Sequence, residues 1–143
     1  MKYGIYFAYW TKEWFADYKK YMDKISGLGF DVMEISCAAL RDVYTTKEQL
    51  IDLREYAKEK NLTLTAGYGP TKAENLCSED PEAVKRAMSF FRDLLPKLQL
   101  MDIKILGGGL YSYYHPVLFS QMQVSQPLPR FADRRRYIVL FYI

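Results

Sequence analysis

The sequence predicts an α/β fold that is built from parallel (β/α) units. Two observations support this class: four short runs of β-forming residues alternate with amphipathic helical segments, and the 143 residues, 50% of them hydrophobic, have the length of one ordinary domain. Strict alternation indicates parallel strands that are joined by crossover helices packed on the sheet. We therefore expect four strands and three helices, followed by an atypical C-terminal tail.

The first predicted unit is a strand over residues 3–9, YGIYFAY, followed by a helix near 14–28. Gly29 occupies the position that glycine favours just after a helix. Residues 30–36, FDVMEIS, form the second predicted strand. Apolar side chains recur along the helix at steps of three or four residues, on one face: Phe15, Tyr18, Met22, Ile25 and Leu28.

A second helix is predicted over about 46–60, and the strand LTLTAG follows it at 62–67. The helix opens with Thr46 and Gln49 in a capping-box pattern, in which each end satisfies a free amide of the other. Its inward stripe comprises Leu50, Leu53 and Ala57.

Asp80 and Pro81 have the residue types of an N-cap and a first helical turn, so they begin the third predicted helix. Pro96 predicts a kink or an early end of that helix. The fourth strand, IKILG, follows at 103–107. The apolar stripe of the helix comprises Val84, Ala87, Met88, Phe91, Leu94, Leu95 and Leu98.

Two architectures share this alternation of elements. An open doubly wound sheet is complete at ~140 residues. An eightfold (β/α) barrel, or TIM barrel, needs ~250 residues, so the chain would then be roughly its first half. Periodicity alone does not choose between them.

The last part of the chain has a different character from the body. Residues 1–116 carry equal numbers of acidic and basic side chains, whereas residues 117–143 lack lysine, hold half of the arginines and end in the apolar block YIVLFYI. We expect 1–116 to form the (β/α) body. We interpret 117–143 as an atypical tail from a truncated or frame-shifted gene, and the alternative is a genuine short variant. The apolar block YIVLFYI is either a fifth strand or an aggregation-prone segment.

Charge and cysteine usage exclude several classes of protein. The body is neutral, so no nucleic-acid surface is predicted. The two cysteines, Cys37 and Cys77, form no CxxC pair, and neither a signal sequence nor an apolar run of ~20 residues is present. We expect a cytoplasmic protein with no membrane segment.

Candidate ligand-binding residues follow the predicted strands, because both architectures place ligands at the C-terminal ends of parallel strands. Tyr9, Trp10 and Trp14 follow the first strand, and GYGP follows the third. Three glycines and three tyrosines follow the fourth strand, within ILGGGLYSYYHPV at 105–117. Glycine allows a close approach of the backbone, and aromatic rings pack on the C–H faces of a sugar. The pattern is typical of a carbohydrate-binding cup.

Other kinds of site find little support in the sequence. No GxGxxG motif opens a helix, and no P-loop lysine follows the glycines. His115 is the one histidine of the chain, so we interpret it as solvated rather than as a metal ligand. Cys37 is interpreted as a packing residue. Glu34 has two interpretations: a structural polar contact in the barrel mouth, which we prefer, or a residue that lines the site.

Five blocks of the chain resemble, in order and spacing, the N-terminal half of the ketose 3-epimerases. The blocks are MKYGIYFAYW with EW, KISGLGFDVMEIS, LTLTAGYGP, NLCSEDP and MDIKILGGGLYSYY, which together span residues 1–114. This group of D-tagatose and D-psicose (D-allulose) 3-epimerases belongs to the xylose isomerase-like TIM barrels. The resemblance therefore implies the first half of a TIM barrel.

The resemblance also implies an isomerase that interconverts free ketohexoses such as D-fructose and D-psicose. In the family, two glutamates exchange the proton at C3, and Mn²⁺ or Co²⁺ holds the substrate oxygens. A ketohexose is thus the expected ligand, and a homo-oligomer the expected assembly. The catalytic glutamates, the metal ligands and the substrate-binding arginine come from later strands in the family. We therefore expect this chain alone to bind no metal and to be inactive.

Five residues match the family's substrate-binding positions: Tyr6, Trp14, Gly109, Leu110 and Tyr114. Tyr6 matches a substrate-contacting tyrosine of the first strand, and Trp14 matches an aromatic wall. Gly109 stands where the family's GGA turn has alanine. Tyr114 departs from the family, because YYHPV replaces YWPV. The resemblance stops at this point.

Half a barrel also leaves open sheet edges and an uncovered face, which we expect to be apolar. A fragment of this kind either dimerises or aggregates. Two other functions remain open from the sequence: a non-catalytic sugar-binding or assembly module, and an unrelated small open-sheet α/β domain.

Overall fold

The computed structural model describes residues 1–13 and 15–110, together with a short strand at 141–142. Helices and strands alternate through the body, as the sequence predicted. In chain order the elements are β1 (Gly4–Tyr6), a 3-10 helix (Phe7–Trp10), α1 (Tyr18–Gly27), β2 (Val32–Ser36), α2 (Cys37–Asp42), α3 (Lys47–Glu59), β3 (Thr63–Tyr68), α4 (Pro81–Leu100), β4 (Ile105–Gly108) and β5 (Phe141–Tyr142).

The strands form one sheet in the order β1-β2-β3-β4-β5. The first four strands are parallel, which confirms the predicted (β/α) class, and β5 pairs with β4 in the antiparallel direction. In the register, Tyr6 pairs with Glu34 and Glu34 pairs with Thr65, so these three residues form one row across the sheet. Gly67 similarly pairs with Gly107.

The two faces of the sheet differ in polarity. Met33, Ile35, Leu64 and Ala66 are buried in the hydrophobic core with apolar residues of the helices. Their strand neighbours alternate onto the opposite face. This face carries Val32 and Ile105, but also Glu34, Thr63 and Thr65. The expected apolar face is therefore mixed among the described residues, because small and polar side chains alternate with the buried ones.

Helix α1 begins later than the apolar periodicity predicted. The Asp17 side chain accepts a hydrogen bond from the Lys19 amide and caps the helix, so Phe15 lies outside it and is 53% exposed. The helix ends at Gly27, and Gly29 follows at φ +82°, as predicted for a residue after a helix. Leu28 is 58% exposed rather than part of the buried stripe.

The structure confirms both predicted helix starts of the later units. Thr46 and Gln49 form the capping box of α3, and Asp80 caps α4 with Pro81 at its first turn. Helix α4 continues through Pro96 to Leu100, so the early end is wrong. Pro96 is exposed, so water can reach the backbone there. The buried stripe of α4 comprises Ala83, Ala87, Phe90, Leu94 and Leu98, whereas Met88 and Leu95 are 44% and 38% exposed.

Two elements differ from the prediction. The first strand ends at Tyr6, because Phe7–Trp10 forms a 3-10 helix that buries Phe7. Helix α2 was not predicted; its six residues follow β2 directly, and the Ser36 side chain accepts a hydrogen bond from the Ala38 amide. The apolar C-terminal block contributes the strand at Phe141–Tyr142, one of the two interpretations given for it.

Within the described parts of the chain, no helix is long and apolar enough to cross a membrane.

Candidate functional site

A cavity of about 440 Å³ opens at the C-terminal ends of the parallel strands. Its floor belongs to the sheet, and its outer wall belongs to α2, the loop after β3 and α4. This is the edge at which parallel α/β folds bind ligands. The described lining residues are Tyr6, Phe15, Glu34, Ser36, Ala38, Arg41, Gly67, Tyr68, Gly69, Thr71, Glu74, Phe90 and Gly108.

Ser36 is fixed at the point where β2 becomes α2. Its backbone nitrogen donates to the Tyr18 hydroxyl at 3.0 Å, and that hydroxyl lies 3.3 Å from the Ser36 carbonyl oxygen. Its side chain accepts from the Ala38 amide at 3.3 Å. Ser36 is therefore held at the cavity by α1 through its backbone and by α2 through its hydroxyl.

Tyr6 lies beside Ser36, so the structure places one of the predicted substrate-binding residues at the cavity. Burial raises the pKa of Tyr6, hydrogen bonding to the Ser36 side chain lowers it, and the nearby Glu34 carboxylate raises it further. Its ring packs edge-on against Phe7, with 4.9 Å between the ring centroids. Tyr6 thus presents a protonated hydroxyl that can donate or accept a hydrogen bond.

Glu34 lines the cavity, the second of its two sequence interpretations. Burial raises the pKa of its carboxyl, and no described residue offsets this effect with a charge or a hydrogen bond. A Cβ built on Gly67 would lie 2.8 Å from Glu34 Oε1, so the side chain passes directly over Gly67. A structural polar contact, the alternative that we preferred from the sequence, is not formed by the Glu34 carboxylate within the described part of the chain.

The outer wall carries a paired cation and an aromatic stack. Arg41 Nη1 lies 3.1 Å from Glu74 Oε2 and Arg41 Nε lies 3.0 Å from Asp42 Oδ1, so two carboxylates neutralise the guanidinium. The rings of Tyr68 and Phe90 stack at 4.7 Å. Burial raises the pKa of Tyr68 to about 12, and no described residue forms a hydrogen bond with its buried hydroxyl.

The glycine turn after β4 makes its close approach to the backbone of β3. Gly108 has φ +103°, and a Cβ built on it would lie 2.1 Å from the Tyr68 carbonyl oxygen. The Gly109 amide donates to the same oxygen at 3.0 Å. Leu110 is 3% exposed and belongs to the hydrophobic core. Gly108 rather than Gly109 or Leu110 lines the cavity, and the substrate-binding roles of the latter two stay predictions.

Several site residues were placed differently or missed by the sequence reasoning. Trp14 and Tyr114, two predicted wall residues, lie outside the described residues, as does His115. Phe15 lines the cavity, although its spacing had assigned it to a helix face. Arg41 was not singled out, because its partner Glu74 is distant in sequence and α2 was not predicted.

The described residues do not fit a metal site of the kind that the family resemblance implies. No group of three or more histidine, cysteine, aspartate or glutamate side chains converges anywhere in residues 1–13 and 15–110. The described lining of the cavity offers two carboxylates: Glu34 on the floor, and Glu74, which is paired with Arg41. Burial raises the pKa of Cys37 to about 12, which agrees with its interpretation as a packing residue.

Comparison with curated proteins finds close relatives. The chain is 88% identical over 120 residues to the D-psicose 3-epimerase of Enterocloster bolteae, a match of 84% of this chain and 40% of the relative. It is 40% identical over 136 residues to the D-psicose 3-epimerase of Agrobacterium fabrum, covering 95% of this chain and 44% of the relative. The chain thus spans about two fifths of the length of these relatives.

Solved structures give the same relationship. A D-psicose 3-epimerase with D-tagatose from Clostridium cellulolyticum H10 superposes with a TM-score of 0.75 at 45% identity, over 79% of this chain and 38% of that one. The match confirms that the described fold corresponds to part of a TIM barrel. A search of protein-family models found no match.

Proposed function

We propose that this chain belongs with the D-psicose 3-epimerases and is the N-terminal half of a ketose 3-epimerase, because it matches these enzymes closely over part of their length. In this proposal the complete barrel interconverts free ketohexoses, such as D-fructose and D-psicose, at C3. The chain supplies one wall of the sugar site. The single observation that carries the proposal is the cavity at the strand ends, where the polar groups of Tyr6, Glu34 and Ser36 line a half-barrel closely related to these enzymes.

The residues of this half bind and orient the sugar. The hydroxyls of Tyr6 and Ser36 and the carboxylate of Glu34 offer hydrogen bonds to sugar hydroxyls, and Phe15 offers an apolar surface. We further propose that Trp14 completes the aromatic wall. These groups do not by themselves move a proton at C3. Tyr6 stays protonated near neutral pH, and Glu34 is the one carboxylate on the cavity floor among the described lining residues.

The proton-transferring groups are assigned to the other half of the barrel. Mn²⁺ or Co²⁺, when bound there, supplies charge stabilisation to the substrate oxygens. No step is assigned to a metal on the described residues, because they lack a converging set of ligands. Assembly as a homo-oligomer and a reducing, cytoplasmic location belong to the same proposal; Cys37 and Cys77 are both free thiols.

Complementation tests the proposal. The full 143-residue chain is co-expressed with the part of the E. bolteae enzyme that lies beyond the match, and conversion of D-fructose to D-psicose is measured with Mn²⁺ or Co²⁺. We expect product from the pair and none from either polypeptide alone. Tyr6→Phe should lower the activity of the pair, whereas Tyr56→Phe, which alters an exposed hydroxyl bound to Asp23, should not.

The two polypeptides must also be shown to associate, for example by co-purification. An associated, folded pair that makes no D-psicose would contradict the proposed function. Turnover by the 143-residue chain alone would contradict the assignment of the catalytic groups to the other half.

A further inference from the structure

Glu34 lies on the floor of the cavity, and none of the described residues is a partner for its carboxylate. It shares a row of the sheet with Tyr6 and Thr65, and its Oε1 lies 2.8 Å from the Cβ position of Gly67. Burial is the cause of its raised pKa, and no described charge or hydrogen bond stabilises the ionised form. Its acceptor sites are therefore open to a ligand, and an acceptor left without a donor in a half-buried place is costly.

Among the described residues that line the cavity, the charged side chains other than Glu34 are paired with each other. Arg41 is the one guanidinium among the described lining residues, and Glu74 and Asp42 both bind it. Lys97, in the groove beside α4, donates to the Leu40 carbonyl oxygen instead of reaching the cavity. In the described lining, two carboxylates thus face one cation, and the excess charge is negative and belongs to Glu34.

This arrangement selects the chemistry of the ligand. A carboxylate only accepts hydrogen bonds, so Glu34 favours a ligand that is rich in hydroxyl donors. The hydroxyls of Tyr6 and Ser36 lie on the same floor and can donate or accept. A phosphorylated ligand would instead place a second negative charge next to Glu34, in a partly desolvated site where repulsion is strong.

We propose that Glu34 is a specificity-determining residue, which accepts hydrogen bonds from the hydroxyls of an uncharged ketose and rejects phosphorylated sugars. Gly67 contributes to this role, because its lack of a side chain leaves the space above β3 that the Glu34 carboxylate occupies. The inference rests on the proposed function and adds to it the residue that discriminates between neutral and anionic sugars.

Two substitutions separate charge from position. Glu34→Gln keeps the shape of the side chain and removes its charge. Gly67→Ala keeps the charge but places a methyl group 2.8 Å from Oε1, and the flexible carboxylate rather than the backbone has to move. Glu59→Gln on α3 and Gly27→Ala at the end of α1, where an added Cβ meets nothing within 4 Å, are the matched controls for charge and for methyl addition.

The test is a titration of the ¹⁵N-labelled 143-residue chain with D-fructose and with D-fructose 6-phosphate, up to ~100 mM. The backbone amide signals of Ser36, Gly67 and Gly108 report on the cavity. We expect D-fructose to shift these signals and the phosphate ester to bind at least about tenfold more weakly. Glu34→Gln should weaken D-fructose binding about threefold or more and abolish the discrimination. Gly67→Ala should also weaken D-fructose binding, and both controls should match the parent chain.

Three results would overturn the inference: unchanged binding and discrimination in Glu34→Gln, tighter binding of the phosphate ester by the parent chain, or no shift with D-fructose at the highest concentration. Dispersed amide spectra establish that each variant is folded, and Gly67→Ala carries the test if Glu34→Gln fails to fold. The titration measures binding and needs no turnover. A result that contradicts the role of Glu34 here can therefore be told apart from a result that contradicts the proposed activity in the complementation assay.

Discussion

The Tyr18 hydroxyl joins α1 to the strand–helix junction at Ser36, with 3.0 Å to its backbone nitrogen and 3.3 Å to its carbonyl oxygen. One buried side chain therefore satisfies both backbone groups of a residue that lines the cavity. The Tyr18 ring also stacks on Tyr44 at 5.1 Å and packs edge-on against Phe7 at 4.9 Å. The cavity floor is thus supported by the core beneath it.

Tyr18→Phe keeps this packing but leaves two buried backbone groups without a partner. We expect it to lower the free energy of unfolding by about 2 kcal/mol, measured by urea denaturation. Tyr56→Phe removes an exposed hydroxyl bound to Asp23 and is the control, with an expected change within about 0.5 kcal/mol. Equal effects of the two substitutions would show that the Tyr18–Ser36 contact contributes no specific stability.

Two adjacent glycines of β4 should respond differently to alanine. A Cβ on Gly108 would lie 2.1 Å from the Tyr68 carbonyl oxygen at φ +103°, whereas a Cβ on Gly107 meets nothing within 4 Å. We expect Gly108→Ala to cost at least about 3 kcal/mol of unfolding free energy, and Gly107→Ala less than about 1 kcal/mol. Thermal or urea unfolding measures both, and a tolerant Gly108 would contradict the close approach of β4 to β3.

Glu34 should lower stability at neutral pH, where it is ionised. Burial raises the pKa of its carboxyl above the ordinary value for glutamate, so folding favours the protonated form. Its contribution to stability is present below the unfolded pKa and is lost as the pH rises through the folded pKa. Glu34→Gln should therefore unfold at higher urea concentration than the parent near neutral pH, and the difference should disappear near pH 4. A variant less stable than the parent at neutral pH would indicate a structural role for the carboxylate.

The two cysteines should differ in reactivity. Cys37 is buried with a pKa raised to about 12, whereas Cys77 is exposed. A thiol reagent added near pH 8 should modify one thiol in the folded chain and the second only after unfolding in urea. Because the folded pKa of Cys37 is raised, its contribution to stability should be lost as the pH rises from about 9 towards 12. Rapid modification of both thiols in the folded chain would contradict the burial of Cys37.

Local signals in the sequence predicted the parts of the fold that depend on neighbouring residues. The capping box of Thr46 and Gln49, the cap at Asp80 and the glycine after α1 each act within a few residues, and all three are present. Periodicity extended α1 too far towards its N-terminus, because the apolar pattern includes Phe15 although the helix begins only after the Asp17 cap. Helix α2 has six residues, which is too short for a periodic pattern to identify.

The candidate site depends on pairings that the sequence does not display. The position of Glu34 above Gly67 results from the register between β2 and β3, and Arg41 meets Glu74 across 33 residues of chain. Tyr6 was predicted through the family resemblance and lines the cavity. Whether Glu34 has a partner depends on the packed structure, so the sequence left two interpretations open; among the described residues it has none.

A chimera tests most directly whether this chain is the N-terminal half of a ketose 3-epimerase. Residues 1–110 replace the corresponding segment of the E. bolteae enzyme, and kcat/KM for D-fructose is measured with saturating Mn²⁺ or Co²⁺. If the chain is this half, its cavity wall can replace that of the E. bolteae enzyme, and we expect a value within about tenfold of that enzyme. A folded chimera with the native oligomeric state whose kcat/KM falls by more than about a thousandfold would contradict it.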